Sequence, residues 1–385
     1  MHKARHFAPD GASQTVNRRR FFGIAAAAGL AVAATSTITG CAPKATGGNK
    51  VAFALATYTV PRYIHLDLPS FSDAAARAGF QTASQQADSK VDRQLNDVIN
   101  LLGQEPGAMA IAAVSGGAGV NLVEHCRQDG VPVVAYNNFI PSPDLAGFVS
   151  RDNVQVGRDH VLAAQEFLGG LRGNIVICSG QAGDQVAEEM TSGYYEVLNP
   201  AIARGDVTVI NQQFNKGWDP ELARKQVEDA LTRTGNNLQA VLSNNDGMAG
   251  GAINSLRSQQ MAGQVFVSGL DATSEACRAI VLGEQAMSTF TPYDEMGRTA
   301  GDLCARLARG ETIQAPDSYP IPGGGTVPWF PTNSRAITRD NLVDYVRDYS
   351  PQYVDVQQIF GGIPDNQLPA GAKELLAAAQ TSNGE

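Results

Sequence analysis

From Lys50 onward, short apolar runs alternate with longer stretches in which apolar positions recur every three to four residues. The short runs, bounded by turn residues, read as buried strands; the longer stretches read as amphipathic helices. Strands are predicted at Val51–Ala56, Phe80–Gln85, Ala108–Val114, Val131–Tyr136 and Gly147–Ser150. Helices fall between them through Phe71–Ala78, over Lys90–Leu102 and up to Gln128. A further helix, capped by Asp152 or Asn153, reaches Leu168. The alternation then starts afresh. Strands at Asn174–Cys178, Val207–Gln213, Gln239–Ser243, Val265–Gly269 and Ala286–Phe290 interleave with helices near Val186–Leu198, Pro220–Thr232, Met248–Ser258, Ser274–Leu282 and Asp294–Arg309.

This order predicts mostly parallel α/β sheets with crossover helices. Two successive series predict two similar three-layer α/β/α lobes joined by a hinge. One lobe is expected from residues 50–150 with 292–325, the other from 151–291 with 326–385. The tail carries Tyr345, Tyr349, Tyr353 and Phe360 among prolines and glycines, and its pattern assigns no element.

The stretch Ala240–Ile253 shows what the lobes are for. Apolar residues end a buried strand, Ser243 to Asp246 follow as small polar residues, and Asp246 is a candidate cap for the next helix. Ligands of open α/β sheets sit outside the carboxyl ends of the strands. Other strand ends carry the same kind of residue: Thr57-Tyr58-Thr59 with Arg62-Tyr63, Asn137-Asn138, Gln181 with Asp184-Gln185, Trp218, Asn245, Asp271 and Thr291. Amides, carboxylates and arginine meet hydroxyls that both donate and accept, and an aromatic ring meets the C–H face of a polyol. The set therefore points to a neutral sugar or polyol.

Composition narrows the choice. The chain is 43% hydrophobic with a net charge of −9. Its first forty residues hold five basic residues and one acid, so the +4 of this leader leaves −13 on the rest. An acidic body without a basic cluster argues against a nucleic-acid partner. No Walker A, H-E-x-x-H or G-x-S-x-G pattern is present, and Ser115-Gly-Gly-Ala-Gly119 lacks the spacing of a dinucleotide cradle, so tight packing is its expected role. Only His65, His125 and His160 lie beyond the leader, thin material for acid–base catalysis. The chain reads as a binding protein rather than an enzyme, with no cofactor and no metal site. Cys126, Cys178, Cys277 and Cys304 form no C-x-x-C pair and are expected to be free core thiols.

The leader itself is an address. Asn17-Arg-Arg-Arg-Phe-Phe22 resembles a twin-arginine export signal, and an alanine-rich run too short to span a bilayer follows. Ile38-Thr-Gly-Cys41 resembles a bacterial lipobox, which implies acylation of Cys41 after removal of a signal peptide spanning 1–40. Residues 41–49 then form a flexible tether. The expected location is the outer face of the cytoplasmic membrane, held there by the lipid.

Lys216-Gly-Trp-Asp-Pro-Glu221, Ser243–Ile253, Ser268-Gly-Leu-Asp-Ala272 and Val149-Ser-Arg-Asp-Asn153 together resemble the D-xylose-binding branch of the type I periplasmic sugar-binding proteins. The resemblance runs from about Lys50 to Pro320. It implies a hinged clamp that captures a monosaccharide or polyol and hands it to an ABC permease, working as a monomer. The sugar contacts it implies fall on Arg62, Tyr63, Asn137, Asn138, Trp218, Asn245 and Asp271, and the strand-end set adds Asp184. The alternative is a receptor subunit that presents the ligand to a membrane signalling protein. Departures from the branch are Thr59 and Asn138 in place of arginines, Thr291 in place of a lysine, Gln185-Val186 in place of two asparagines, and Leu270 in place of a glutamine.

Overall fold

The computed structural model describes residues 48–58 and 62–382. The export signal at 1–40, Cys41, most of the tether and Thr59 lie outside the described residues. The first lobe is built on a seven-stranded sheet and the second on a six-stranded one.

In the first lobe the strands are β1 (Lys50–Leu55), β2 (Gln81–Gln86), β3 (Met109–Ile111), β4 (Val133–Tyr136) and β5 (Leu145–Arg151). They run parallel in the order 5-4-3-1-2. Helix α1 (Leu68–Arg77) covers one face, while α2 (Val91–Leu102) and α3 (Gly116–Gln128) cover the other through Val98, Leu101, Leu122, Val123 and Cys126. Short apolar strands between helical layers are buried on both sides, which is why they read as runs rather than alternations. The glycine run at the start of α3 is a packing device: a side-chain carbon at Gly119 would strike Ile140.

In the second lobe β6 (Gly173–Ser179), β7 (Val207–Phe214), β8 (Ala240–Ser243), β9 (Phe266–Leu270) and β10 (Met287–Phe290) are parallel in the order 10-9-8-6-7. Helices α4 (Asn153–Leu168) and α5 (Gln185–Ala203) pack on one face. Helices α6 (Pro220–Thr234) and α7 (Asp246–Ser258) pack on the other, with α8 (Ser274–Val281) beside them. Asp152 caps α4 by accepting from the Gln155 amide at 2.9 Å. The cap of α7 differs from expectation. Asn245, not Asp246, accepts from the Met248 amide at 2.9 Å, because the Asp246 carboxylate is turned inward to Ser288 and Gln285.

After β10 the chain returns to the first lobe as α9 (Tyr293–Ala308), which lies against α1, and then as the antiparallel hairpin β11 (Asp317–Pro320) and β12 (Thr326–Thr332). Strand β12 pairs in parallel with β5, from Trp329 opposite Phe148 to Thr332 opposite Arg151. The last crossing between lobes therefore lies between Thr332 and Arg335, beyond the expected boundary at 325/326. The strand potential of Thr326–Thr332 is hidden by its two prolines, which sit in a strand flanked by β11 and β5, next to the edge of the sheet. Strand β13 (Arg335–Ile337) pairs antiparallel with β10.

The tail is structured. Helices α10 (Leu342–Tyr349), α11 (Val356–Phe360) and α12 (Ala372–Ser382) extend the second lobe, and α11 lies against α8. The rings of Tyr345 and Tyr349 pack 4.8 and 4.5 Å from that of Phe290. Cys126, Cys178, Cys277 and Cys304 are all free and buried.

Candidate functional site

The carboxyl ends of the two sheets face one another, and a cavity of about 450 Å³ lies between them. Arg62, Tyr63, Asn137, Asn138, Asp184, Trp218, Asn245 and Asp271 all line it. So do Arg151, Tyr293 and Val186. Thr291 does not: it is buried beneath, its hydroxyl 3.0 Å from that of Ser334.

Arg62 enters at the start of the helical turn Tyr63–Asp67 and is almost wholly buried. Its guanidinium carbon lies 3.9 Å from the centre of the Tyr293 ring and 4.7 Å from that of Tyr63. Beneath it the buried Asp67 carboxylate lies 3.5 Å away and accepts from the Tyr136 hydroxyl at 2.6 Å. Burial works against the Arg62 charge, but Asp67 together with the surrounding Tyr63, Tyr293 and Tyr136 outweighs it and holds the guanidinium above its ordinary pKa. Nη2 of Arg62 is the atom that faces Asp67, whereas Nε of Arg151 is buried with no hydrogen-bond partner among the described residues. A buried donor left unpaired is costly, so Arg151 is suited to meet an acceptor in the cavity.

Asn137 and Asn138 follow β4. Asn137 Nδ2 donates to Asn138 Oδ1 at 2.9 Å, and Arg151 Nη1 lies 3.5 Å from Asn137 Oδ1. Across the cleft, Asp184 caps α5 by accepting from the Val186 amide at 2.9 Å, and burial raises its pKa. Trp218 is half-buried on the loop before α6, its ring lying over Gly180 so closely that an added side-chain carbon would come within 2.5 Å. Asp271 follows β9 and accepts from the Tyr293 hydroxyl at 2.9 Å. Burial raises its pKa as well, against the opposing pull of Arg151.

Asn137, Trp218 and Asp271 have φ of 62°, 58° and 108°. Such backbone costs about 1–3 kcal/mol at a residue other than glycine, and it persists where side chains must be aimed at a function. Two guanidiniums face two carboxyl groups in this cavity, with three amides and three aromatic rings between them. The arrangement suits an uncharged ligand carrying many hydroxyls. Among the described residues no group of three metal-ligating side chains occurs, and no helix is long and apolar enough to cross a membrane.

Reasoning from the sequence missed Arg151 and Tyr293. Arg151 stands in the Val149–Asn153 motif, which carries a helix cap and part of the resemblance but does not single out Arg151 as a contact. Tyr293 opens α9 one residue before the expected start, directly after a crossing strand, and that position was the available signal.

Away from the cavity the lobes also meet. Gln185 on α5 accepts from the Phe139 amide at 3.0 Å and donates to the Tyr319 hydroxyl at 2.6 Å, while that hydroxyl donates to Glu189.

A family profile described as a periplasmic binding protein domain matches residues 51–312. The D-xylose-binding periplasmic protein of Escherichia coli (strain K12) is 30% identical, over 65% of this chain and 75% of its own length. The xylitol-binding protein of Mycolicibacterium smegmatis is 25% identical, over 83% of this chain and 86% of its own. Among solved structures, an ABC transporter solute-binding protein from Mycobacterium smegmatis with bound glycerol aligns with a TM-score of 0.65 at 25% identity, covering 77% of this chain and 96% of that one.

Proposed function

The chain belongs to the periplasmic binding protein family, and on that premise we propose that it captures a neutral sugar or polyol between its lobes and delivers it to an ABC transporter permease. The observation that carries this reading is the balanced cavity: Arg62 and Arg151 against Asp184 and Asp271, with Trp218 as a ring platform. Its volume of about 450 Å³ falls within the roughly 300–1,000 Å³ of small-molecule sites. In this reading the arginines and Asn137, Asn138 and Asn245 donate to sugar oxygens, and the carboxylates accept from paired hydroxyls. Trp218 and Tyr63 carry the C–H faces. Relatives named for D-xylose and xylitol, and a similar structure holding glycerol, support a ligand of this class. They are named as binding proteins rather than enzymes, and none of these findings favours the receptor-subunit alternative.

The test is a thermal-shift screen of the soluble domain from Lys50 onward against pentoses, hexoses, inositols and straight-chain polyols. At least one is expected to stabilise the protein in a concentration-dependent way. A screen in which none does so, confirmed by calorimetry, would reject the reading. Attachment is tested separately. Cys41→Ser is expected to release the protein from membranes, and an unchanged membrane fraction would reject the lipid anchor. Replacing Arg18 and Arg19 with lysine should block export by the twin-arginine route.

A further inference from the structure

The family match ends at residue 312, yet the segment beyond it reaches the floor of the cavity. Asp271 and the following Ala272 have φ of 108° and 50°, two successive non-glycine residues in the left-handed region. A turn of this kind relaxes unless its backbone is held on all sides. The sheet holds its amides: Asp271 N donates to Thr289 O at 2.8 Å and Ala272 N to Ser288 Oγ at 2.9 Å. The C-terminal segment holds its carbonyls. The Tyr353 hydroxyl donates to Asp271 O at 3.0 Å, and the buried Tyr345 hydroxyl donates to Ala272 O at 2.8 Å.

That segment is itself fastened to α8, the helix the turn leads into. Arg278 Nη1 donates to the carbonyls of Gln358, Ile359 and Gly361 at 3.2, 3.2 and 2.9 Å, and the Asp355 amide donates to Ser274 Oγ at 3.0 Å. The two tyrosines are thus fixed points, and the carboxylate of Asp271 is aimed into the cavity by what lies behind it. We propose that Tyr345 and Tyr353 are positioning residues for ligand capture, holding the Asp271–Ala272 turn in the conformation that presents the carboxylate. This inference rests on the reading of Asp271 as a ligand contact.

The experiment removes hydroxyls and keeps rings. Tyr345→Phe/Tyr353→Phe is compared with Tyr349→Phe, whose hydroxyl lies 3.3 Å from Asp294 and does not touch the turn. Affinity is measured calorimetrically for xylitol, D-xylose, D-glucose and myo-inositol. Hydrogen exchange over residues 268–276 is followed in the ligand-free protein. The double variant is expected to bind about tenfold more weakly, because the turn is no longer held in the conformation that presents the carboxylate, and to exchange faster over the turn. Tyr349→Phe should change neither. On an Asp271→Ala background the same double substitution should cost less than about twofold, because the residue it acts through is gone. Unchanged exchange and affinity in the double variant, or an equal loss on the Asp271→Ala background, would overturn the proposal. If Asp271→Ala binds like the parent, or none of the four compounds binds, the functional reading fails instead. The exchange measurement then decides by itself whether the tyrosines hold the turn.

Discussion

The Tyr293 ring carries the guanidinium of Arg62 on its face, 3.9 Å from its centre, and joins Asp271 through its hydroxyl at 2.9 Å. One side chain of the first lobe thus orients a cation of its own lobe and a carboxylate of the other. The two roles are separable. Tyr293→Phe keeps the platform and loses the bond, and should weaken ligand binding by about 1 kcal/mol, or roughly fivefold, with little change in Tm. Tyr293→Leu loses both and should cost distinctly more. Calorimetry on the pair decides it, and equal affinities for the parent and the Phe variant would remove the bridge from the site.

Trp218 and Asp271 are expected to dominate binding. Removing the indole takes away an apolar platform, and Asp271→Ala leaves ligand hydroxyls unpaired in a dry site. Each should cost about 2–4 kcal/mol, roughly 30-fold or more in Kd. Titration of the folded variants checks this, and near-parental affinity in either one would take that residue out of the site.

Closure has its own handle. Tyr319 on β11 shares its hydroxyl between Gln185 and Glu189 of the other lobe, well away from the cavity floor. Tyr319→Phe should favour the open arrangement, raising the ligand-free radius of gyration and weakening ligand several-fold through a smaller closed population. Scattering curves identical to those of the parent would show that this contact does not bias the hinge.

Asp246 should give the fold a pH dependence of unusual sign. Burial above all, with Asp271 nearby, raises its carboxyl to about 7, against an ordinary value of 3.8. The folded state therefore binds the extra proton between about pH 4 and 7. Its contribution is complete below that window and is lost as pH rises through it, by up to about 4 kcal/mol. Urea unfolding at pH 5 and pH 8 should show the parent losing more stability on that rise than Asp246→Asn does. Parallel losses would place the carboxyl in its ordinary range.

D-xylose is not expected to be the preferred ligand. The branch this chain resembles carries an arginine where Asn138 stands in the cavity wall, and charge-assisted bonds are about twice as strong as neutral ones. Val186 adds an apolar wall to the cavity. Another pentose, a polyol or a hexose should bind at least tenfold more tightly. A calorimetric panel headed by D-xylose would show that Arg151, 3.5 Å from Asn137, restores what Asn138 lacks.

Most of the fold was readable because the central strands of the parallel sheets are short apolar runs and most of the helices are amphipathic. Helix α9 was placed to within a residue at either end. The eight residues chosen from strand ends came together because a parallel sheet gathers its carboxyl ends on one side. Reading failed where meaning depended on a partner far along the chain. Asp246 looked like a cap until Ser288 and Gln285 were seen beside it. Arg151 stands between a strand and a helix cap, and only the folded chain brings it beside Asn137. Thr326–Thr332 had two prolines against it and only the edge of β5 in its favour. The tail's tyrosines repeat at helical spacing, but Pro351 interrupts the pattern, and nothing local shows that Tyr353 belongs beside Asp271.

The last crossing between the lobes has a consequence for how the chain is completed. Strand β12 covers the open edge of β5, and β13 covers that of β10, and both arrive after Thr326. Until then each sheet ends in a bare row of amides and carbonyls, a ready template for pairing with another chain. Neither lobe is a continuous stretch of sequence, so neither can be finished as it is synthesised. A fragment cut at the end of the recognised domain would keep the cavity's lining residues and still present two adhesive margins. The final seventy-odd residues therefore act as selvedge as well as scaffold, and the protein is whole only when nearly all of it has been made.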